Sequence, residues 1–247
     1  MSKLAIIDWG IGGISIYKLL KERQSEVSVT YFSDTGAIPY GKMTRPELVS
    51  RLNSVIRFLM TRGVTHLVIG CNAASTAMVN LSDHGLVIEG VIESAVAEVV
   101  RQKPERLGLI GGRRTVVSGV YRRAFAKHGI QPGQRIAQPL SGMIESGDVS
   151  SQNLRDEAKR ILAPIRNNSH ILLACTHYPA IMPILKQIVS RKTKFIDPAT
   201  ALVKKIRRWK LEVGDDQFLT SGDGEAMKRS AKLAFGVDLK SVEKVTI

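Results

Sequence analysis

The chain has 247 residues, of which 44% are hydrophobic and 23% charged. These values are typical of a globular chain of one or two domains and exclude a disordered or fibrous one. No stretch approaches the ~18 apolar residues that a membrane-spanning helix needs, and the short apolar run after the N-terminus does not predict a signal peptide. Two cysteines are too few for a disulfide framework, so a reducing cytoplasm is the expected compartment.

The chain is basic, with 36 Lys and Arg against 22 Asp and Glu and a formal net charge of +14. Residues 101–135, the basic segment, hold nine basic residues and one acid and contribute +8 of that total. Such an excess suits nucleic acid or another acidic partner, and equally suits solvated helix faces. No RNA-binding aromatic signature, zinc-finger spacing or helix-turn-helix is recognisable in the sequence.

Short runs of Ile, Val and Leu alternate along the chain with longer amphipathic stretches. The predicted strands are residues 4–7, 27–32, 66–69, 86–91, 107–110, 171–174 and 194–196. The predicted helices are residues 14–23, 46–62, 93–102, 116–128 and 151–166. Continuous apolar runs suit parallel strands covered on both faces, so the pattern predicts an α/β fold with mainly parallel sheets. Ligands in such folds bind beyond the carboxyl ends of the strands.

The sequence contains a weak internal repeat. Residues 3–10 align with 106–113 at an offset of 103, and residues 68–72 align with 172–176 at an offset of 104. The repeat predicts two similar α/β halves facing a central cleft. The predicted domains are residues 1–93 with 205–247, and residues 94–204. Each half places one cysteine, Cys71 or Cys175, just beyond a buried strand and facing the other half.

A single cysteine after a strand is usually a small buried hydrophobe, but a facing pair permits chemistry. Each cysteine precedes a small polar residue and a candidate helix, whose N-terminal amides would favour a thiolate. Two thiols across a cleft can take a proton from one face of a carbon and return one to the other, which inverts the stereocentre without a cofactor. Asp8 is a candidate helper for Cys71. His177, oriented by Glu145, is a candidate helper for Cys175. For these three helpers the alternatives are a cap, a structural histidine and a surface carboxylate.

Several motifs carry a family resemblance. They are Asp-Trp-Gly-Ile-Gly-Gly-Ile-Ser at 8–15, Tyr-Phe-Ser-Asp-Thr at 31–35 with Pro-Tyr-Gly at 39–41, Cys-Asn-Ala-Ala-Ser at 71–75, Val-Val-Ser-Gly-Val-Tyr at 116–121, Pro139 and Leu140 with Glu145, and Cys-Thr-His-Tyr-Pro at 175–179. Together they resemble the glutamate racemases of the cofactor-independent aspartate/glutamate racemase superfamily, in register from residue 4 to about residue 198. The remaining tail matches only loosely.

The resemblance implies interconversion of L- and D-glutamate, a peptidoglycan precursor, by a cytoplasmic enzyme that uses no cofactor and no metal. It assigns the acid/base roles to Cys71 and Cys175, supported by Asp8, His177 and Glu145. It assigns contacts with the amino-acid substrate to Trp9, Tyr40, Gly41, Asn72, Ala73 and Thr176. Homodimers are common in the family. Some glutamate racemases also inhibit DNA gyrase, and the basic segment would give such a role, or contact with nucleic acid, an electrostatic surface.

Two residues depart from the family pattern. Trp9 stands where the family has serine, and Ala73 stands where it has threonine. Both family residues supply hydroxyls to the substrate, and a lost hydrogen bond to a charged group costs about 1.5–3 kcal/mol. Three alternatives to an ordinary glutamate racemase follow: another substrate such as aspartate, a slow enzyme, or a racemase-like protein that acts through its basic surface.

The sequence also offers weaker indications of a dinucleotide site and of a metal site. The glycine-rich residues 10–13, with Asp34 further along, suggest a nicotinamide dinucleotide, but the third glycine of that fingerprint falls at Ser15 and neither cysteine is explained. A metal site is disfavoured, because only His177 lies at ligand spacing from a cysteine and two residues do not make a site.

Overall fold

The computed structural model of the chain describes residues 2–82 and 85–247. Within them the strands are β1 Leu4–Asp8, β2 Val29–Ser33, β3 His66–Ile69, β4 Val87–Gly90, β5 Leu107–Gly111, β6 Gly133–Ile136, β7 His170–Ala174, β8 Lys194–Ile196, β9 Gln217–Thr220 and β10 Glu243–Lys244. The helices are α1 Ile14–Lys21, α2 Arg45–Thr61, α3 Asn72–Ser75, α4 Val91–Gln102, α5 Arg113–Val117, α6 Val120–Ala126, α7 Gln138–Glu145, α8 Gln152–Leu162, α9 Met182–Ile188, α10 Pro198–Ile206 and α11 Gly224–Phe235. Short 3₁₀ helices lie at Met78–Asn80, Ala163–Ile165 and Tyr178–Ile181. None of the helices described has the length and apolar character needed to span a membrane.

The strands form two parallel sheets, which confirms the predicted α/β class. The first sheet has the order β10-β9-β2-β1-β3-β4 and the second has the order β6-β5-β7-β8. Every residue of the central strands β1, β5 and β7 is buried. Strands of this kind need apolar side chains on both faces, because helices cover both faces of the sheet.

The internal repeat is visible in the topology. The order β2-β1-β3-β4 in the first sheet recurs as β6-β5-β7-β8 in the second. Strand β1 pairs with β2 and β3, and the equivalent β5 pairs with β6 and β7. Cys71 therefore follows β3 as Cys175 follows β7. The parts of the chain that form the first and second sheets are the first and second halves below.

The chain passes between the halves through α4 and returns through α10. These two helices pack against each other, and α10 also contacts α1 and β7. One hydrophobic cluster includes Ile6 of the first sheet, Val99 of α4 and Leu172 of the second sheet, so the halves share a core. The predicted domain boundaries, 93/94 and 204/205, fall inside α4 and α10, and a division at those points stays a prediction.

Two predicted helices differ from the observed ones. The stretch 116–128 is divided into α5 and α6 by Gly119, which has the positive φ of +69° that favours glycine. The stretch 151–166 ends as α8 at Leu162 and continues as a 3₁₀ turn that contains Pro164. Proline lacks the amide that would continue the α-helical hydrogen bonding, so the change of helix type follows from the sequence.

Candidate active site

A cavity of about 410 Å³ lies between the two halves, within the size range of small-molecule sites. Both sheets contribute the carboxyl ends of their strands to it, as the α/β class predicts. Ten of the eleven predicted site residues line it: Asp8, Trp9, Tyr40, Gly41, Cys71, Asn72, Ala73, Cys175, Thr176 and His177. The eleventh, Glu145, lines an adjoining cavity of about 390 Å³, to whose wall Trp9 also contributes.

Cys175 is the first member of a chain of three side chains in the second half. Its Sγ lies 3.6 Å from Nδ1 of His177, and Nε2 of His177 lies 2.6 Å from Oε2 of Glu145. Burial lowers the pKa of His177, but the neighbouring Cys175 and Glu145 outweigh burial and raise this pKa well above its ordinary value. His177 is therefore held as an imidazolium, with its positive charge 3.6 Å from the sulfur of Cys175.

Asp8 occupies the corresponding place beside Cys71 in the first half. Its side chain is 1% exposed. One carboxylate oxygen accepts the amide of Trp9 at 2.6 Å, and the other accepts the hydroxyl of Thr176 at 2.8 Å. Burial raises the pKa of Asp8, although His177 and the hydroxyl of Thr176 oppose the shift. Thr176 thus joins the two halves at the base of the cavity.

The prediction that a helix N-terminus lowers the pKa of Cys71 is wrong in its net direction. Cys71 caps α3, which has only four residues. The amide of Ala74 does lower the pKa of the thiol, but burial and the charge of Asp8 dominate and raise it well above its ordinary value. Cys71 is therefore held as a thiol.

The glycine-rich loop 10–13 is required by side chains that approach it from the second half. A Cβ on Gly10 would overlap the carboxylate of Glu145. A Cβ on Gly12 would overlap the hydroxyl of Thr176 and lie 2.6 Å from Nδ1 of His177. The amide of Ile11 donates to Oε2 of Glu145 at 2.9 Å, which fixes the loop against that carboxylate.

The dinucleotide interpretation is contradicted by the surroundings of Asp34. This aspartate is fully buried and accepts hydrogen bonds from Arg51, Tyr40 and Ser221. Its carboxylate is therefore used inside the fold and does not face a ribose. Nor do the residues described here contain a group of three or more His, Cys, Asp or Glu side chains that could hold a metal ion.

The predicted substrate contacts differ in what they offer the cavity. Asn72 is 3% exposed and accepts the hydroxyl of Tyr121 through Oδ1 at 2.7 Å, while its Nδ2 has no hydrogen-bond partner. A buried amide without a partner is costly in a folded protein and indicates that a ligand group belongs beside it. The indole of Trp9 donates to the carbonyl of Ala37 at 3.0 Å, so it has no donor left for a ligand.

Several residues that line the cavity are not among the site residues predicted from the sequence. They are Pro39, Lys42, Gly112, Arg113, Thr115, Gln138, Ser141, Gly142 and Ala174. Beside them, Arg114 donates from Nε to the carbonyl of Tyr40 at 2.9 Å and from Nη2 to the carbonyl of Met43, which ties α5 to the loop 39–43. Arg113 lies two residues beyond β5, as Cys71 lies two residues beyond β3, so the rule of carboxyl strand ends applied to β5 would have found it.

The family model for Asp/Glu/hydantoin racemases matches residues 6–206, more than three quarters of the chain. The chain belongs to the Asp/Glu/hydantoin racemase family. This racemase family, and with it the isomerase class, is the one that the sequence motifs predict. Among curated relatives, the glutamate racemase of a Synechococcus species is 30% identical over 212 residues, 82% of this chain and 78% of the relative. Glutamate racemase 1 of Caldanaerobacter subterraneus subsp. tengcongensis is 26% identical over 235 residues, 90% of this chain and 88% of the relative.

Solved structures of racemases share the fold of this family member. The glutamate racemase of Francisella tularensis, determined in complex with D-glutamate, superposes with a TM-score of 0.88 at 23% identity over 99% of this chain and 97% of that one. The aspartate racemase of Picrophilus torridus superposes with a TM-score of 0.67 at 18% identity over 86% of this chain and 95% of that one.

Proposed function

We propose that the protein is an amino-acid racemase that interconverts L- and D-glutamate by a two-cysteine acid/base mechanism. One observation carries the proposal: Cys71 and Cys175, from equivalent strand ends of the two halves, line one cavity of about 410 Å³. Each thiol has its own buried titratable neighbour, Asp8 or His177. The naming of several relatives as glutamate racemases supports glutamate as the first substrate to test.

The charges around the two sulfurs set the direction of the proposed proton transfer. Imidazolium His177 lies 3.6 Å from the sulfur of Cys175, whereas burial and Asp8 raise the pKa of Cys71 and hold it as a thiol. Cys175 then takes the proton from the α-carbon, and Cys71 delivers its own proton to the opposite face. The opposite enantiomer reacts through the reverse assignment: Asp8 takes the proton of Cys71 and imidazolium His177 gives one to Cys175. The Cys71 thiolate then takes the α-proton, and Cys175 delivers its proton to the other face.

The substrate's charged groups would be held by backbone and side-chain groups of both halves. Asn72 offers its unpartnered Nδ2 to a carboxylate, and Thr176 offers an oxygen lone pair to an ammonium group. Tyr40 and Gly41 place backbone along the same wall. Hydrogen-bond donors fixed around the carboxylate stabilise the negative charge that develops as the α-carbon loses its proton.

The proposal is tested by following optical rotation or circular dichroism with D- and L-glutamate, and with D- and L-aspartate in parallel. Turnover of glutamate above that of aspartate supports it. Turnover of aspartate alone would assign the aspartate alternative, to which the missing hydroxyls at Trp9 and Ala73 point. Turnover of neither would leave the binding-protein alternative. A gel assay with DNA over a salt series, in which true binding weakens steeply as salt rises, examines that role of the basic segment.

We expect Cys71→Ala and Cys175→Ala each to abolish racemisation, because each face of the carbon needs its own proton donor or acceptor. The measurement is the loss of optical rotation with either enantiomer of glutamate. Val79→Ala, at a side chain that is 88% exposed, is the control and should keep full activity. Full activity in either cysteine variant would refute the two-thiol assignment.

For the assembly and location, the proposal follows the family resemblance: a homodimer in the cytoplasm, where D-glutamate is used for peptidoglycan. Sedimentation of the purified protein measures the assembly directly. A mass near 27.1 kDa, that of one chain, would show a monomer and contradict the dimer.

A further inference from the structure

We propose that Lys42 and Arg113, the mouth pair, bind the side-chain carboxylate of the substrate and so select acidic amino acids. The inference rests on the proposed function and deepens it, because it names the residues that give the cavity its preference. Neither residue belongs to the motifs that carry the family resemblance. Both line the cavity that holds the two cysteines.

The mouth pair flanks the cavity from opposite halves. Lys42 lies in the loop after β2, and Arg113 begins α5 after β5. The glycines that precede them approach the same atom: a Cβ on Gly41 would lie 3.6 Å from Oε1 of Gln138, and a Cβ on Gly112 would lie 3.0 Å from it. The backbone before each cation therefore lies beside Gln138, which places Lys42 and Arg113 on the same part of the cavity wall.

Both cations are available to a ligand. Their side chains are exposed, and among the residues that the structure describes neither side chain makes a hydrogen bond or an ion pair. Arg114, next to Arg113, is by contrast occupied by the carbonyls of Tyr40 and Met43. An unpaired lysine and an unpaired arginine beside a cavity attract anions and bind carboxylates through charge-assisted hydrogen bonds.

The charges inside the cavity orient an acidic substrate toward the mouth pair. Asp8, the acidic residue of the lining, lies at the buried end against Thr176. Asp8 repels a side-chain carboxylate, and the positive charge of His177 at that end is already paired with Glu145. The unpaired cations of the mouth pair therefore attract the carboxylate. The side chains of Trp9 and Ala73 offer it no donor, since the indole is bonded to Ala37 and the methyl group of Ala73 has no polar atom. The α-carbon then lies between the thiols while the side chain points outward.

The test replaces each cation without changing its length greatly: Lys42→Gln and Arg113→Gln. The loss of a charge-assisted hydrogen bond predicts a KM for D-glutamate raised about tenfold or more, with kcat changed less than about threefold. Calorimetric binding of D-glutamate should weaken by the same factor, whereas binding of D-glutamine, which has an amide in place of the carboxylate, should not change. Lys240→Gln and Arg191→Gln remove the same charge at exposed sites elsewhere and should leave KM unaltered.

An unchanged KM in both mouth variants would overturn the inference. So would an equal rise in the two control variants, because net charge alone would then explain the effect. The calorimetry separates this inference from the proposed function. If the unmodified protein racemises no amino acid yet binds D-glutamate in a way that depends on the mouth pair, the proposed function has failed and the inference stands. If it racemises glutamate and the mouth variants keep their KM, only the inference has failed.

Discussion

His177 is the side chain through which the second half acts on the proposed chemistry. Its two ring nitrogens face different partners, Sγ of Cys175 at 3.6 Å and Oε2 of Glu145 at 2.6 Å. Glu145 does not line the cavity of the cysteines and reaches the sulfur only through the ring. Glu145 is therefore a positioning residue, and its effect should be visible in how the protein responds to pH.

We expect Glu145→Gln to lower the free energy of unfolding by about 1.5–3 kcal/mol near pH 6, the value of a hydrogen bond to a charged group. The folded pKa of His177 lies above its ordinary value of 6.5. Its stabilisation is thus complete below about pH 6.5 and is lost as the pH rises through the raised folded pKa. The difference between wild type and variant should shrink over that range, measured by urea unfolding at a series of pH values.

The control for that experiment is Glu225→Gln, whose carboxylate pairs with Lys228 on the surface. Exposed pairs contribute at most about 1 kcal/mol, and no histidine is involved, so its effect should not follow the pH. A difference for Glu145→Gln that stays constant from pH 6 to pH 9 would contradict the ionic pairing with His177.

At the scale of elements, the loop between β1 and α1 fits closely against the other half. Gly12 lies against Thr176 and His177 of the second half and Asp8 of its own. No side chain fits there without moving at least one of the three. The local sequence shows a glycine-rich turn after a strand, which is equally typical of phosphate binding. Only the contacts across the cleft distinguish a loop that fits against facing side chains from a loop that binds phosphate.

We expect Gly12→Ala to reduce racemisation about 100-fold, because a displacement of roughly 1 Å in a catalytic group has an effect of that size. The new Cβ would lie 2.8 Å from Oδ2 of Asp8 and 2.6 Å from Nδ1 of His177. Activity is measured by circular dichroism with glutamate. The matched control is Gly224→Ala, where the Cβ would meet Val242 at an ordinary 3.4 Å. Equal activity in the two variants would show that the loop tolerates a side chain.

The sequence predicts central strands better than edge strands, for a physical reason. Strands β1, β5 and β7 are buried on both faces and appear as uninterrupted apolar runs. Strand β6 is exposed or half-buried throughout and reads Gly-Gln-Arg-Ile, and β10 has only two residues, Glu and Lys. Such strands are formed by pairing with a neighbour, which local hydrophobicity does not report.

The features of the site also divide into those that the sequence predicts and those that it does not. Both cysteines and His177 follow apolar strands and are recognisable from the sequence as strand-end residues. The tie between Tyr121 and Asn72, and that between Thr176 and Asp8, join residues 49 and 168 positions apart. These contacts depend on how the halves face each other, which no local pattern determines.

At the scale of the whole molecule, Arg114 holds the two halves together over the cavity. Its guanidinium, on α5 of the second half, donates to two carbonyls of the loop 39–43 in the first half. Burial lowers the pKa of Arg114, and the neighbouring Arg45 adds to the shift. The loop carries Tyr40, Gly41 and Lys42, so this contact fixes one part of the cavity wall.

We expect Arg114→Met to speed amide hydrogen exchange in the loop 39–43 by about tenfold, because hydrogen bonds of this kind contribute about 1 kcal/mol each. Exchange is measured by mass spectrometry on the free protein. Arg122→Met removes the same charge from an exposed position in the basic segment and should leave the loop unchanged. Identical exchange in the two variants would show that Arg114 does not hold the loop.

The two thiols are supported unequally, by an almost fully buried carboxylate on one side and by an imidazolium–carboxylate pair on the other. For the proposed racemase, the substrate and the product are mirror images with equal free energy in solution. Their equilibrium constant is therefore one, and kcat/KM must be the same in the two directions. The different surroundings of the two thiols can then change kcat and KM only by equal factors that cancel in kcat/KM. We expect the enantiomer with the lower KM to have the lower kcat, by the same factor.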